Sequence, residues 1–237
     1  MPNWCKNIIT IKGNNKDIED FKDALWAKPA VYRGEEDNPI EYSKEPCRWT
    51  MNGIVPVPDE ILEKGYYNND IKFEDSMKML HGKMEPCDGY HWQIANWGTK
   101  WDLDSSQTYI EDGKGELCIT TYTAWNPIAQ FIEKASAVYP ELEFTIKYEE
   151  TGNQLLGHFI FKNGKMLEEV TSGGTVEGMV DYYLNVDNWG IWDILLEFIY
   201  CDDEYYRETY DMIVKKWLDK NSGQSVPSFD EVLSEIY

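Results

Sequence analysis

The sequence predicts an α+β protein: a ferredoxin-like split βαβ sheet with a long insertion and an extra hairpin, followed by an acidic helical module. Three observations predict it. Short alternating strands and amphipathic helices follow one another in the order strand, helix, strand, strand, helix, strand, which is the order of that fold. A polar, aromatic-rich stretch without a sustained period interrupts the series in the middle. After Gly173-Gly174 only helical spacing remains.

Each element has a local cause. Residues 7–12 (NIITIK) form an apolar strand, and Gly13 ends it. Ile18, Phe21 and Leu25 then recur at helical spacing, predicting a helix over 16–27. Residues 28–48 are polar and broken by prolines, so they read as a loop. WTMNGIVPVP (49–58) reads as the second strand, and 59–64 as one helical turn closed by Gly65. The insertion, about 59–107, holds short helices and aromatic anchors. ELCITTYTAW (116–125) alternates with Leu117, Ile119 and Thr121 on one face. Asn126-Pro127 predicts a helix start, because Asn caps and Pro fits the first turn. Ile128, Phe131, Ile132, Ala135 and Val138 are its expected buried stripe. FTIKYEE (144–150) is a strand, and 158–170 a hairpin turning on Asn163-Gly164, which suits two successive positive φ angles.

The helical module, 175–237, starts on a Thr175 cap. Its clearest helix carries Tyr206, Tyr210, Ile213, Val214, Trp217 and Leu218, and Ser228 with Glu231 forms a capping box before the last one. The module is set apart by charge. The chain has 43 acidic and 22 basic residues, a formal net charge of -21, and the last 63 residues contribute 14 acidic against 4 basic. Such a surface repels phosphate backbones and anionic lipids and favours a basic partner. Direct binding to nucleic acid and to membranes is therefore not expected. The absence of a signal-like start and of an uninterrupted apolar run of roughly 18 residues points to the cytoplasm. Five widely spaced cysteines without a CxxC pair read as free thiols.

The opening MPNWCKN, the run GIVPVPDE, the segment NWGTKWD (96–102) and the junction TYTAWNP (121–127) together resemble a family of uncharacterised proteins from phages, prophages and plasmids. The group is typified by the Api protein of the APSE phage and by YubB-like plasmid proteins. The resemblance covers about residues 1–172 and implies the same ferredoxin-like fold, a bacterial host cell as the setting, and no established reaction.

Two groups of residues are candidate sites. In NWGTKWD, Asn96, Trp97, Lys100, Trp101 and Asp102 combine aromatic faces with polar groups and could hold a small ligand; the same residues could equally pin the insertion to the sheet. In the tail run DDEYYRETYD, Asp202, Asp203, Glu204, Glu208 and Asp211 could imitate a row of phosphates, since a helix rises about 1.5 Å per residue and DNA carries a charge about every 1.7 Å. They could also be a solvated helix face. His81, Cys87 and His91 have a half-site's spacing for zinc but lack a fourth ligand, so no metal or other cofactor is expected. No GxSxG, GxGxxG or P-loop occurs.

These features lead to one functional expectation. The chain is a non-catalytic accessory protein of a mobile element that binds a basic protein surface, such as a host nucleic-acid-handling or defence protein, through its acidic face as a DNA mimic. The alternatives are a small-ligand binder or enzyme using NWGTKWD, and a structural component of a virion.

Overall fold

The structure is a computed structural model that describes residues 3–33, 47–199 and 204–236. It divides into two units, Met1–Gly152 with Gly157–Val170, and Asn153–Leu156 with Thr171–Tyr237.

The first unit is built on β1 (Trp4–Lys12), whose alternate residues Cys5, Asn7, Ile9 and Ile11 are buried. β1 pairs antiparallel on one side with β5 (Glu116–Ala124) and on the other with β6 (Glu143–Glu150). Register brings Ile9 opposite Ile119 and Ile146, and Ile11 opposite Leu117 and Phe144, so apolar side chains line up across three strands. β4 (Tyr109–Gly113) pairs with β5 at one edge. Beyond β6 lie β7 (Leu155–Lys162) and β8 (Lys165–Thr171), giving a six-stranded antiparallel sheet in the order β4-β5-β1-β6-β7-β8. The β7–β8 turn uses Asn163 (φ 50) and Gly164 (φ 68), the two left-handed residues a tight hairpin needs.

α1 (Asn15–Leu25) starts on Asn14, whose side chain accepts from the Asp17 backbone N–H, and it buries Ile18, Phe21 and Leu25. Phe21 meets Phe144 edge-on with ring centroids 5.4 Å apart. The strand order β6-β1-β5-β4 with α1 and α5 (Ala129–Val138) is the ferredoxin-like arrangement.

Its second strand, however, is Tyr109–Gly113 and not 49–58. Only Arg48–Trp49 (β3) forms a strand there, pairing with Trp26–Ala27 (β2) in a separate two-stranded sheet. Residues 51–53 form a 3-10 turn, and Asn52 Oδ1 then accepts from the Val57 backbone N–H at 2.9 Å. Ile54, Val55 and Val57 are buried without a ladder, since Pro56 and Pro58 lack the N–H groups a strand would need.

The start of α5 also differs from expectation. Asn126 does not cap it; the helix begins after Ile128 with no side-chain cap of its own. The buried Asn7 of β1 does that work instead. Its Oδ1 accepts from Ile128 N at 3.3 Å while its Nδ2 donates to Cys5 O and Thr123 Oγ1. At the other end Val138 is exposed, and Ser136 takes the buried position, donating to Glu133 O and accepting from Gly164 N.

The insertion holds α2 (Asp59–Leu62), α3 (Phe73–Leu80) and α4 (Gly89–Trp97). Asp88 caps α4: its Oδ1 accepts from His91 N at 2.9 Å and its Oδ2 from Asn68 N at 3.1 Å.

The second unit contains α6 (Val176–Tyr182), a π-helical turn over Tyr183–Asp187, α7 (Ile191–Phe198), α8 (Glu204–Lys220) and α9 (Phe229–Ile236). Thr175 caps α6 by accepting from Gly178 N at 3.0 Å. Its core includes Val180, Tyr183, Leu195, Ile213 and Val232, with Tyr183 stacked on Trp189 at 4.0 Å. Lys216 of α8 bonds Asp181 at 2.7 Å and Glu177 at 3.1 Å. Ser228 and Glu231 form the expected reciprocal cap of α9. No helix among the described residues is long and apolar enough to cross a membrane.

Candidate functional site

The NWGTKWD segment leaves the end of α4 and its residues part company. Trp97 is fully buried, and its indole N–H donates to Val55 O at 2.9 Å. Asn96 donates to Trp92 O at 2.8 Å and accepts from Lys134 Nζ, tying α4 to α5. Gly98 (φ 88) ends the helix in the left-handed conformation, where its N–H bonds Gln93 O and Ile94 O. Thr99 Oγ1 then donates to Ala124 O at 3.3 Å. Asn96 and Trp97 therefore belong to the scaffold.

The chain turns outward next. The Lys100 ammonium lies over two indole rings, 4.1 Å from the centroid of Trp101 and 3.9 Å from that of Trp125. Loss of hydration there lowers the Lys100 pKa. Trp101 is 40% exposed and lies beside Trp4, centroids 6.1 Å apart and tilted by 45°.

Asp102 points back in. Its Oδ2 accepts from Thr50 Oγ1 at 2.5 Å and lies 3.5 Å from Arg48 Nη2; its Oδ1 accepts from the backbone N–H groups of Met51 and Leu103 at 2.9 and 2.8 Å. Burial raises its pKa, against the lowering effect of these bonds and of the Arg48 charge.

Trp101 and Asp102 border a cavity of about 480 Å³. Its wall also includes Trp4, Tyr32, Arg48, Tyr66, Gln93 and Tyr122. Gln93 is buried and donates to Tyr32 Oη at 2.7 Å. Asp104 stands at the same cavity, its Oδ1 accepting from Ser106 N at 2.9 Å and Ser106 Oγ at 2.7 Å. The volume lies in the range of small-ligand sites, and aromatic walls with a few fixed polar groups are their usual lining.

The sequence reading left out most of this wall. Trp4 carried a signal, since it stands in the opening segment MPNWCKN. Arg48 and Gln93 carried none: only the tertiary fold brings them to Asp102 and Tyr32.

Among the described residues no group of three or more His, Cys, Asp or Glu is placed to hold a metal ion. In the His81, Cys87 and His91 set, both His91 ring nitrogens are engaged, Nδ1 with Asp88 at 2.7 Å and Nε2 with Ser76 at 2.7 Å. Cys87 Sγ faces Met79 sulfur at 3.9 Å.

On the tail, Glu204, Glu208 and Asp211 are exposed on α8 at spacings of four and three, which puts them on one stripe. Lys215 continues that stripe. Asp202 and Asp203 lie outside the described residues.

A match to one known family agrees with the sheet. Residues 96–182 match a family model described as a ferredoxin-like domain in Api92-like protein. The match begins at the NWGTKWD segment and runs through the strands β4 to β8 into α6. Among solved structures, the crystal structure of a protein api92 from Yersinia pseudotuberculosis is similar, at 12% identity and a TM-score of 0.41, covering 74% of this chain and 99% of that one. A search of curated proteins finds no match. Residues 96–182 are thus similar to the ferredoxin-like domain described for Api92-like proteins, in keeping with the Api-like resemblance of the sequence segments, while β1 and α1 lie outside the matched residues.

Proposed function

We propose that the ferredoxin-like unit is a binding domain whose cavity takes a small organic ligand, and that the chain acts by binding and not by catalysis. One observation carries this reading. A cavity of about 480 Å³ is walled by Trp4, Trp101 and three tyrosines, while its buried carboxylate, Asp102, is already engaged by Thr50, Met51, Leu103 and Arg48. A carboxylate bonded on both oxygens holds the wall in shape; a general base needs a free lone pair facing the substrate.

The test is a thermal-shift screen of a chemically diverse small-molecule set on the full chain and on Trp101→Ala. The reading expects ligands that raise the melting temperature of the native chain and fail on the variant, whose own melting temperature stays close to native. A set that shifts both proteins equally places binding elsewhere.

A second reading has its own support. The exposed Glu204, Glu208 and Asp211 stripe on α8 suits a basic protein surface. It is the reading of a mobile-element accessory protein that blocks a host nucleic-acid-handling or defence protein. Three carboxylates over about 10 Å of helix are sparser than the phosphates of DNA, so ordinary charge pairing suits this stripe better than imitation of a duplex. Charge reversal of all three to Lys should abolish a salt-sensitive complex with such a partner; a complex that persists unchanged excludes this stripe as the contact.

A further inference from the structure

We propose that the ligand of this cavity is an organic cation, an alkylammonium or quaternary ammonium group held on aromatic faces. The inference rests on the binding reading above and adds the charge and chemistry of what binds.

Four observations lead there. First, five aromatic residues line the cavity, Trp4, Tyr32, Tyr66, Trp101 and Tyr122, and aromatic ring faces attract cations. Second, Trp101, one of the lining residues, already carries an ammonium on its ring. Lys100 Nζ sits 4.1 and 3.9 Å from the centroids of Trp101 and Trp125, within the distance at which a cation is drawn to a ring. That contact uses Trp125 and one side of Trp101, while Trp101 still borders the cavity with Trp4.

Third, the lining has a carboxylate with one oxygen left over. Arg48 is matched by Asp102 at 3.5 Å, and Asp104 remains. Asp104 spends only Oδ1, on Ser106; its Oδ2 makes no hydrogen bond among the described residues. A carboxylate that lines the same cavity as several aromatic rings is the pairing that organic cations use, a counter-charge plus ring faces that replace water at little desolvation cost. Fourth, a formal net charge of -21 raises the local concentration of cations and disfavours anionic ligands.

The cation can be a free small molecule or the head group of a methylated lysine on a basic protein. The chemistry recognised is the same, so the experiment separates them. Isothermal titration of the full chain at low ionic strength is run with choline, with its uncharged isostere 3,3-dimethyl-1-butanol, and with a short peptide carrying trimethyl-lysine. The expected result is that a cation binds about tenfold or more tightly than the neutral isostere, the size of a desolvated cation–ring contact. Choline binding best assigns a free ligand; peptide binding best assigns a protein side chain. Asp104→Asn keeps the Ser106 bonds through its amide oxygen and should weaken the cation several-fold without changing the melting temperature or the affinity of the isostere.

Equal or tighter binding of the neutral isostere overturns the inference. Binding of uncharged ring compounds that is lost in Trp101→Ala, with no binding of either cation, also overturns it while leaving the binding reading intact. Failure of every probe and of the diverse small-molecule set removes both.

Discussion

Asp102 accepts a 2.5 Å hydrogen bond from Thr50, 52 positions earlier in the chain, and through it the loop after α4 is tied to the turn after β3. The carboxylate side chain is only 9% exposed, and Arg48 beside it is 14% exposed. Removing one partner of such a pair leaves the other charge in a poorly hydrated place. Asp102→Ala should therefore cost about 3 kcal/mol in urea unfolding, whereas an exposed ion pair such as Lys16–Asp20 should cost well under about 1 kcal/mol.

The same carboxylate gives a pH signature. Burial holds its folded pKa above the ordinary 3.8, so the folded chain keeps this proton where the unfolded chain has released it. Its contribution to stability is fully present below pH 3.8 and is lost as pH rises through the folded value. Relative to Asp102→Asn, which never ionises, the native chain should look better at acid pH than at neutral pH. Paired urea titrations across that window read the difference; a gap that widens in the opposite direction would show that the four bonds outweigh burial.

The two tryptophans of NWGTKWD should separate cleanly. Trp97 is fully enclosed, so Trp97→Ala removes a large side chain from the core at a cost of roughly 3–5 kcal/mol. Trp101 is 40% exposed, and Trp101→Ala should cost under about 1 kcal/mol by the general tolerance of surface sites, while changing what the cavity binds. Chemical denaturation of both variants checks this, and similar losses for both would mean that Trp101 is also a core residue.

The glycine between them is fixed by geometry. Gly98 has φ 88, and a Cβ there would lie 2.3 Å from Gln130 Oε1 and 2.8 Å from Pro127 O. Gly98→Ala should destabilise by roughly 2–4 kcal/mol, combining a left-handed alanine with displacement of the start of α5. Because Lys100, Trp101 and Asp102 follow directly, the variant should also lose ligand binding out of proportion to its loss of helix content by circular dichroism.

How far the sequence reveals this molecule depends on how local each cause is. The β5 alternation, the Asn163-Gly164 turn and the Ser228–Glu231 cap were all legible, because each is decided within about four residues. The second ferredoxin-like strand was not. Tyr109–Gly113 is mostly exposed at the sheet edge, so it lacks the buried alternation that marks a strand. GIVPVP misled in the opposite way: Ile54, Val55 and Val57 are buried as a strand's would be, but against prolines and the Asn52 side chain. The cap of α5 by Asn7 spans 121 positions, beyond any local pattern. The candidate site divides likewise. Trp101 and Asp102 stand in a visible segment, while Arg48 and Gln93 reach the cavity only through folding.

Cys5 gives a probe of the sheet itself. It is fully buried on β1, opposite Thr123 of β5, and burial with the nearby Glu150 charge pushes its thiol up to about 12. At pH 8 the folded chain then holds almost no thiolate at this position, and iodoacetamide reacts only with thiolate. Cys118, half-buried on β5, should alkylate first, and Cys5 only at the rate at which the sheet opens. Low concentrations of urea should accelerate Cys5 labelling more steeply than that of Cys118, which peptide mass spectrometry can follow over time. The linkage has a matching sign. The unfolded thiol ionises near 9 and the folded one near 12, so stability from this group is complete below 9 and falls by about 1.4 kcal/mol per pH unit above it. Cys5→Ala should flatten the alkaline limb of the stability profile, and a slope unchanged by that substitution would place the alkaline loss on other groups.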